Sequence, residues 1–456
     1  MITCTLAVFL ALCLFMPAAH GTISPSDKKK SKAVEALDPG PADVFERDLV
    51  KEAFKVGDIL KHHRSYCNTK TRESRFGGTV LGYVTPWNNR GYDIAKIFGS
   101  KFNYVSPVWL QLELSQEKSG FAVAGQHDVD VGWIQDVKTA GKAVKLVPRV
   151  LFERWTPQQL SKVASSKKKM TSMASVLIEV ARKSGFDGYV LELWSQFGAQ
   201  LATDMTKLVQ HLAKDLHTEN LDLILVIPPA VYQGDVPGMF SKKDFDNLAS
   251  HVTAFSLMTY DFSSPQRPGP TSPVEWVRKC VELLAPEKDD KRTKILLGLN
   301  FYGYSYTSVG GGPILGSQLI QELSKGKKAL VNWDSQAAEH YFEYKLQDGK
   351  RTVFYPTLHS INQRVKLAES LGTGLAIWEL GQGARFRNLK LLVHPPPSPC
   401  QRVCPAPFRP WKVMDQAKTA RVTGPVHNSS SLIAGKPWAR TTREWKLRRL
   451  APSLRG

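Results

Sequence analysis

Cysteine is scarce in this chain, with six in 456 residues. Cys4 and Cys13 fall in the leading apolar run and Cys400 and Cys404 near the far end, leaving only Cys67 and Cys280 between. Two cysteines cannot build the disulfide framework of a small secreted scaffold, and no Cys or His spacing fits a zinc site. Cys67 and Cys280 are compatible with one bridge or with two separate buried thiols. Beyond the N-terminus no apolar run reaches about 18 residues, which excludes a polytopic membrane protein. Nothing in the sequence implies a metal or an organic cofactor. A uniform basic charge is also lacking. The formal charge is +20, but residues 384–456 hold 15 Lys and Arg against 2 Asp and Glu, so +13 of it sits in the last 73 residues. The basic character belongs to a tail and gives no reason to expect a nucleic-acid-binding body. Apolar residues at 42% and charged residues at 22% exclude a wholly disordered chain.

Four segments follow from composition. Residues 1–21 have the form of a signal peptide: an apolar run over 5–16, then Pro17-Ala18-Ala19-His20-Gly21 as a cleavage region, although no Lys or Arg precedes the run. The chain is therefore expected to be secreted. Residues 22–78 are a polar, basic leader in which 42–62 carry apolar residues at helical spacing, predicting a helix packed on the body. Residues 79–383 form the body. Residues 384–456, with ten prolines and few apolar side chains, read as disordered, and they hold the one N-glycosylation sequon at Asn428.

In the body, short β-branched runs alternate with amphipathic stretches. The strand candidates are 79–84, 102–108, 144–149, 187–193, 221–227, 252–259, 294–300 and 374–379, with helical stretches at 128–140, 171–184, 199–218, 241–250, 273–285 and 360–371. Apolar strands separated by helices predict a parallel sheet covered by helices. Eight such units predict an α/β fold, a (β/α)8 TIM barrel with a small insertion before the last strand. A doubly wound open sheet is the alternative, but its Gly-rich phosphate loop after the first strand is missing, the chain reading Gly82-Tyr-Val-Thr-Pro-Trp87 there.

A β/α barrel builds its site at the C-terminal ends of its strands. Trp87, Trp109, Trp155, Trp194 and Trp378, five of eight body tryptophans, fall at or just past such ends, with Tyr260 and Asp261 after the sixth strand and Tyr302 after the seventh. Flat aromatic faces stack on the apolar faces of sugar rings, so a carbohydrate groove is expected. For Trp109 and Trp155, plain packing is an equal alternative.

The body resembles glycoside hydrolase family 18, the chitinases and chitinase-like proteins. The resemblance is carried by Gly185-Phe-Asp-Gly-Tyr-Val-Leu-Glu-Leu-Trp194, Met258-Thr-Tyr-Asp261, Gly298-Leu-Asn-Phe-Tyr-Gly303 and Ala376-Ile-Trp378. Residues 332–356 look like the insertion of the family's spore-germination and cell-wall branch. The family's catalytic string is Asp-Gly-x-Asp-x-Asp-x-Glu: the last Glu protonates the glycosidic oxygen, and the preceding Asp orients the substrate's own acetamide, which is the nucleophile. Here the first Asp is Asp187, Val190 holds the second Asp position, Glu192 the third, and Trp194 the position of the Glu. An indole has no titratable proton to give. Glu192 shares the inward face but should lie about 6.6 Å deeper, at about 3.3 Å per residue, so a buried hydrogen-bonded carboxylate is expected there, bonded to Tyr260 or another inward polar group. Glu153 and Glu379 are expected as groove hydrogen-bonders.

The resemblance thus implies a catalytically dead barrel that binds saccharides containing N-acetylglucosamine. Trp378 is the implied floor beneath a central sugar, Tyr260 and Asp261 the contacts to its polar groups, Trp194 an added stacking face, and Trp87 and Tyr302 further groove walls. It also admits lipopolysaccharide as a ligand, and implies a stabilin-type scavenger receptor as partner and the late endosome and lysosome as destinations. Two alternatives stand beside this reading: a weak hydrolase using a surrogate acid, Glu192 first, and a cargo or scaffold protein recognised through its surface.

Overall fold

The computed structural model describes residues 38–74, 76–116 and 120–383. The expected signal peptide at 1–21, the Lys-rich start of the leader and the tail at 384–456 lie outside the described residues. Eight parallel strands close on themselves: β1 (Val80–Val84), β2 (Tyr104–Pro107), β3 (in two pieces, Lys145–Leu146 and Arg149–Phe152), β4 (Gly188–Glu192), β5 (Asp222–Ile227), β6 (Ala254–Leu257), β7 (Ile295–Asn300) and β8 (Gly374–Trp378). β8 pairs with β1 through Leu375↔Val80, so the seam is hydrogen-bonded. The break in β3 falls at Val147-Pro148, where proline has no N–H for the ladder. Before it the strand pairs with β2, after it with β4.

Helices follow the first seven strands: α1 (Arg90–Ile97), α2 (Val131–Ala140), α3 (Lys167–Ser184), α4 (Ala202–Thr218), α5 (Lys242–Leu248), α6 (Val274–Leu284) and α7 (Leu358–Leu371). Their starts are written in the sequence. Asp130, Ser166, Ser241 and Thr357 each accept a backbone N–H of the following first turn, as N-caps do. Each helix turns an apolar stripe onto the outside of the barrel, exemplified by Met205, Leu208, Val209, Leu212 and Leu216 of α4. Inside the barrel a smaller apolar layer is formed by Leu81, Val147, Val190, Ile224, Val226, Leu296 and Ala376, the inward members of the alternating strands. Gly188 is required by crowding. A Cβ there would lie 2.1 Å from the Asp222 carbonyl oxygen.

Two expectations are corrected, the extent of the insertion and that of the leader helix, and the open question of the two cysteines is resolved. The insertion is larger than 332–356. It runs from Gly303 to Tyr355 as a five-stranded antiparallel sheet with a helix, Gly316–Lys325. A second insertion, the hairpin Leu110–Leu114 and Phe121–Ala124, extends the sheet beside β3. The leader helix is confined to Val56–His62. Asp43 instead caps a single turn through the Phe45 and Glu46 amides, and Asp48 at φ 50° ends it. Cys67 and Cys280 are separate buried thiols, with Cys67 donating to the Pro41 carbonyl.

A buried ion pair bolts the insertion to the barrel. Glu339 takes the Thr271 and Ser272 amides and the Thr271 hydroxyl, and pairs with Arg364 of α7 at 3.0 Å. Arg364 donates in turn to the Ala337, Ala338 and Ser272 carbonyls, so both charges are fully hydrogen-bonded.

Candidate functional site

The mouth of the barrel gathers most of the predicted residues. At the end of β8, Trp378 is half-buried, and its indole packs on Tyr83 of β1 with ring centroids 5.1 Å apart. Tyr83 is buried and donates its hydroxyl to Ser256 at 2.8 Å. The Arg149 guanidinium stands 6.0 Å from the Trp378 ring centroid, within reach of the ring's negative face. Arg149 Nη1 also donates to Glu192 Oε2 at 2.8 Å, and the Ser195 hydroxyl donates to Oε1 at 3.0 Å. The partner of Glu192 is therefore Arg149, not Tyr260.

The opposite wall comes from β6 and β7. Tyr260 is half-buried and meets Tyr302 edge-on at 6.3 Å. The Tyr302 hydroxyl donates to Asp261. Asp261 sits at φ 60° and is exposed, and desolvation raises its carboxyl to about 6 against the lowering effect of the Tyr302 hydrogen bond. Trp87 stands on the turn Pro86–Asn88 after β1 and is 64% exposed, an open aromatic face on the rim.

Trp194 is placed differently from the expectation. The chain leaves extended geometry at Leu193 (φ −144°, ψ −27°) and enters the helical turn Trp194–Phe197. Strand alternation stops one residue too early to aim Trp194 into the barrel. Its indole is fully buried, meets Phe240 edge-on at 4.9 Å and donates Nε1–H to the Met239 carbonyl at 3.0 Å. It offers no stacking face. Trp109 and Trp155 are also packing residues: Trp109 lies against Tyr92 and Trp133, and Trp155 bonds the Leu112 carbonyl. Glu153 is a rim carboxylate beside Arg154 at 3.9 Å.

Glu379 is no groove residue. It is fully buried on the far side of β8, where it accepts the Gly381 amide at 2.8 Å and contacts Asn88, and where Oε1 has no hydrogen-bond partner. Desolvation pushes its carboxyl up to about 8. Asp187, the first residue of the resembled string, lies at the opposite end of the barrel. It holds the Leu146 amide and Lys138, a structural role.

Arg149 and Tyr83 were not singled out from the sequence. Arg149 carried a signal, since a charged residue inside the apolar run Val147-Pro148-Arg149-Val150 demands a buried partner. Among the described residues no group of three or more His, Cys, Asp or Glu is placed to hold a metal ion, and no helix is long and apolar enough to cross a membrane.

Known proteins match this arrangement. A cortical fragment-lytic enzyme of Bacillus subtilis is 27% identical over 178 residues, 37% of this chain, and this chain spans only 41% of that relative's length. The crystal structure of a chitinase from Chromobacterium violaceum superposes with a TM-score of 0.59 at 19% identity, covering 69% of this chain and 98% of that one. A chitinase of Cycas revoluta, crystallised with a trimer of N-acetylglucosamine, gives a TM-score of 0.57 at 16% identity over 69% of this chain and 98% of its own. At such identities the structural likeness shows the shared α/β barrel. The family model for glycosyl hydrolases family 18 matches residues 79–383, two-thirds of the sequence, and the chain belongs to that family.

Proposed function

We propose that this protein is a saccharide-binding barrel that holds oligomers of N-acetylglucosamine at its mouth without cleaving them. The observation that carries this reading is Trp378, a half-exposed indole on the barrel floor, flanked by Tyr83 and Arg149 and continued toward the rim by Tyr260, which the buried Tyr302 backs, and by Trp87. A sugar ring laid on the indole buries its apolar face while its hydroxyls meet Asp261 and the Arg149–Glu192 pair. The Cycas chitinase, of the same fold, was crystallised with such a ligand. Hydrolysis needs a carboxylic acid within about 2.6–3.2 Å of the glycosidic oxygen. In the string, that position is Trp194, whose indole faces the core. Glu192 has both oxygens engaged, Oε2 by the Arg149 guanidinium and Oε1 by the Ser195 hydroxyl. Titrating a tetramer of N-acetylglucosamine into the wild type and into Trp378→Ala tests the groove. Undiminished binding by the variant would refute it.

One observation favours a second reading, weak hydrolysis with a surrogate acid. Asp261, exposed at the end of β6, has its carboxyl pushed up to about 6. Loss of a measured cleavage in Asp261→Asn would establish it. A lipopolysaccharide ligand, a stabilin-type receptor, secretion, and delivery to late endosomes and lysosomes are proposals that rest on the sequence resemblance and leader.

A further inference from the structure

A cavity of about 480 Å³ opens on the flank of the barrel, away from its mouth, between α6, α7, the insertion and the leader. Its size falls in the usual range of small-molecule sites, about 300–1,000 Å³. Its lining is sorted by charge. α6 and α7 both start at the mouth end of the barrel and run toward the other end. Glu275 in the first turn of α6, His359 in the first turn of α7, Trp333 of the insertion and Glu52 of the leader line the upper part. Arg278 and Lys366 line the part below. His359 and Lys366 are two turns apart on one helix face, roughly 10 Å along the axis at about 1.5 Å per residue.

The upper end attracts cations. Trp333 is half-buried, edge-on to His359 at 4.8 Å and tilted against His340 at 4.5 Å. Among the described residues Glu52 makes no ion pair. His359 adds no positive charge at neutral pH, since desolvation lowers its pKa. Its Nδ1 is buried beside the Val50 carbonyl without a hydrogen bond of normal geometry. The lower end attracts anions. Lys366 is exposed and has no carboxylate partner among the described residues, while Arg278 shares Glu275 at 3.4 Å and Glu282 at 4.0 Å. Glu275 and Arg278 offset each other between the two ends, which leaves Glu52 and Lys366 as the unpaired charges of opposite sign in the lining.

We propose that this cavity binds a small zwitterion, with its ammonium group between Trp333, Glu52 and Glu275 and its phosphate or carboxylate against Lys366 and Arg278. An ammonium over an indole face beside a carboxylate gains both cation–π and Coulomb attraction. An acid group paired with two cations gains charge-assisted hydrogen bonds. A single-charged ligand would use only one end. The site is independent of the saccharide groove.

The test is calorimetric titration of the full chain with phosphocholine, O-phosphoethanolamine and carnitine, set against choline alone and inorganic phosphate alone. Saturable binding of a zwitterion at least about tenfold tighter than choline or phosphate, a difference of about 1.4 kcal/mol, is expected. Phosphocholine against carnitine separates a phosphate from a carboxylate preference, and binding of either supports the site. Lys366→Glu alters an exposed side chain and should cost the zwitterion about tenfold or more, leaving binding of the N-acetylglucosamine tetramer unchanged. Glu52→Gln should weaken the zwitterion as well. The proposal is overturned if no zwitterion gives saturable heat at millimolar concentration, if inorganic phosphate or choline alone binds as tightly, or if Lys366→Glu binds like the wild type.

Discussion

Arg149 of β3 pairs with Glu192 on the neighbouring strand β4, Nη1 to Oε2 at 2.8 Å, while its guanidinium stands 6.0 Å from the Trp378 ring centroid. One side chain thus links the inward carboxylate of the family's signature strand to the aromatic floor. Both charges are mostly buried, with 14% and 17% of their side chains exposed. Removing one partner leaves the other uncompensated in a site of low polarity. Glu192→Gln should therefore cost stability of the order of 2 kcal/mol and loosen Arg149 over Trp378. Urea unfolding and glycan affinity, measured on the same variant, check both consequences. A variant as stable as the wild type would mean the pair is solvated.

Trp378 is expected to dominate glycan binding. Trp378→Ala should cost about 2 kcal/mol, near thirtyfold in Kd, with little change in melting temperature because the side chain is half-exposed. Trp87→Ala, on the open rim, should matter only for longer oligomers. Titration with dimer, tetramer and hexamer separates the two effects.

Restoring a carboxylate at the signature position should not restore hydrolysis. Trp194→Glu would bury an unpaired charge against Phe240 and leave the Met239 carbonyl without its indole donor. The expected result is a loss of at least about 3–5 kcal/mol, as for a buried tryptophan truncation, and no cleavage of a chromogenic chitobioside. Cleavage by a folded Trp194→Glu protein would show that the turn at Leu193 rearranges.

This same residue marks the limit of what was legible. The eight strands are readable because each is a short, mostly apolar run between amphipathic stretches, and the site is readable because tryptophans and tyrosines crowd the strand ends. Period-two logic aimed Trp194 inward, but the chain turns helical at Leu193, and a φ/ψ change of one residue has no compositional mark. Arg149 was visible as a charge in an apolar strand, yet its partner lies 43 residues away. The insertion was placed too late because Gly303-Tyr-Ser-Tyr-Thr307, an alternating strand, reads equally as the tail of β7. The leader helix was overextended because Val44 is fully buried as a single packing contact and not as part of a helical stripe.

Glu379 makes a pH prediction. Its carboxyl, ordinarily near 4.5, is pushed up to about 8 by burial. A raised folded-state value means its share of stability is present below about 4.5 and is lost as pH rises toward 8. Between these limits the loss is of the order of 5 kcal/mol, at about 1.4 kcal/mol per unit. Glu379→Gln should be more stable than the wild type at pH 8 and show a flatter dependence between pH 5 and 8. Parallel curves for the two proteins would mean that the carboxyl titrates normally.

His340 should act in the opposite direction. Burial lowers it to about 4, and its ring bridges the Glu52 carbonyl to Thr357, the N-cap of α7, at 2.8 Å each. A depressed value contributes stability above about 6.5 that is lost as pH falls toward 4. Hydrogen exchange should then show the leader around Glu52 opening first between pH 6 and 4, and His340→Gln should remove that sensitivity. Leader protection that stays constant to pH 4 would contradict this.

The most direct measurement is titration of the protein with N-acetylglucosamine tetramer in the calorimeter, followed by mass analysis of the recovered sugar. Saturable heat that Trp378→Ala weakens by about thirtyfold in Kd, with the tetramer recovered intact, is the predicted result. Dimer and monomer in the recovered sugar would contradict it and make Asp261 the acid to remove first.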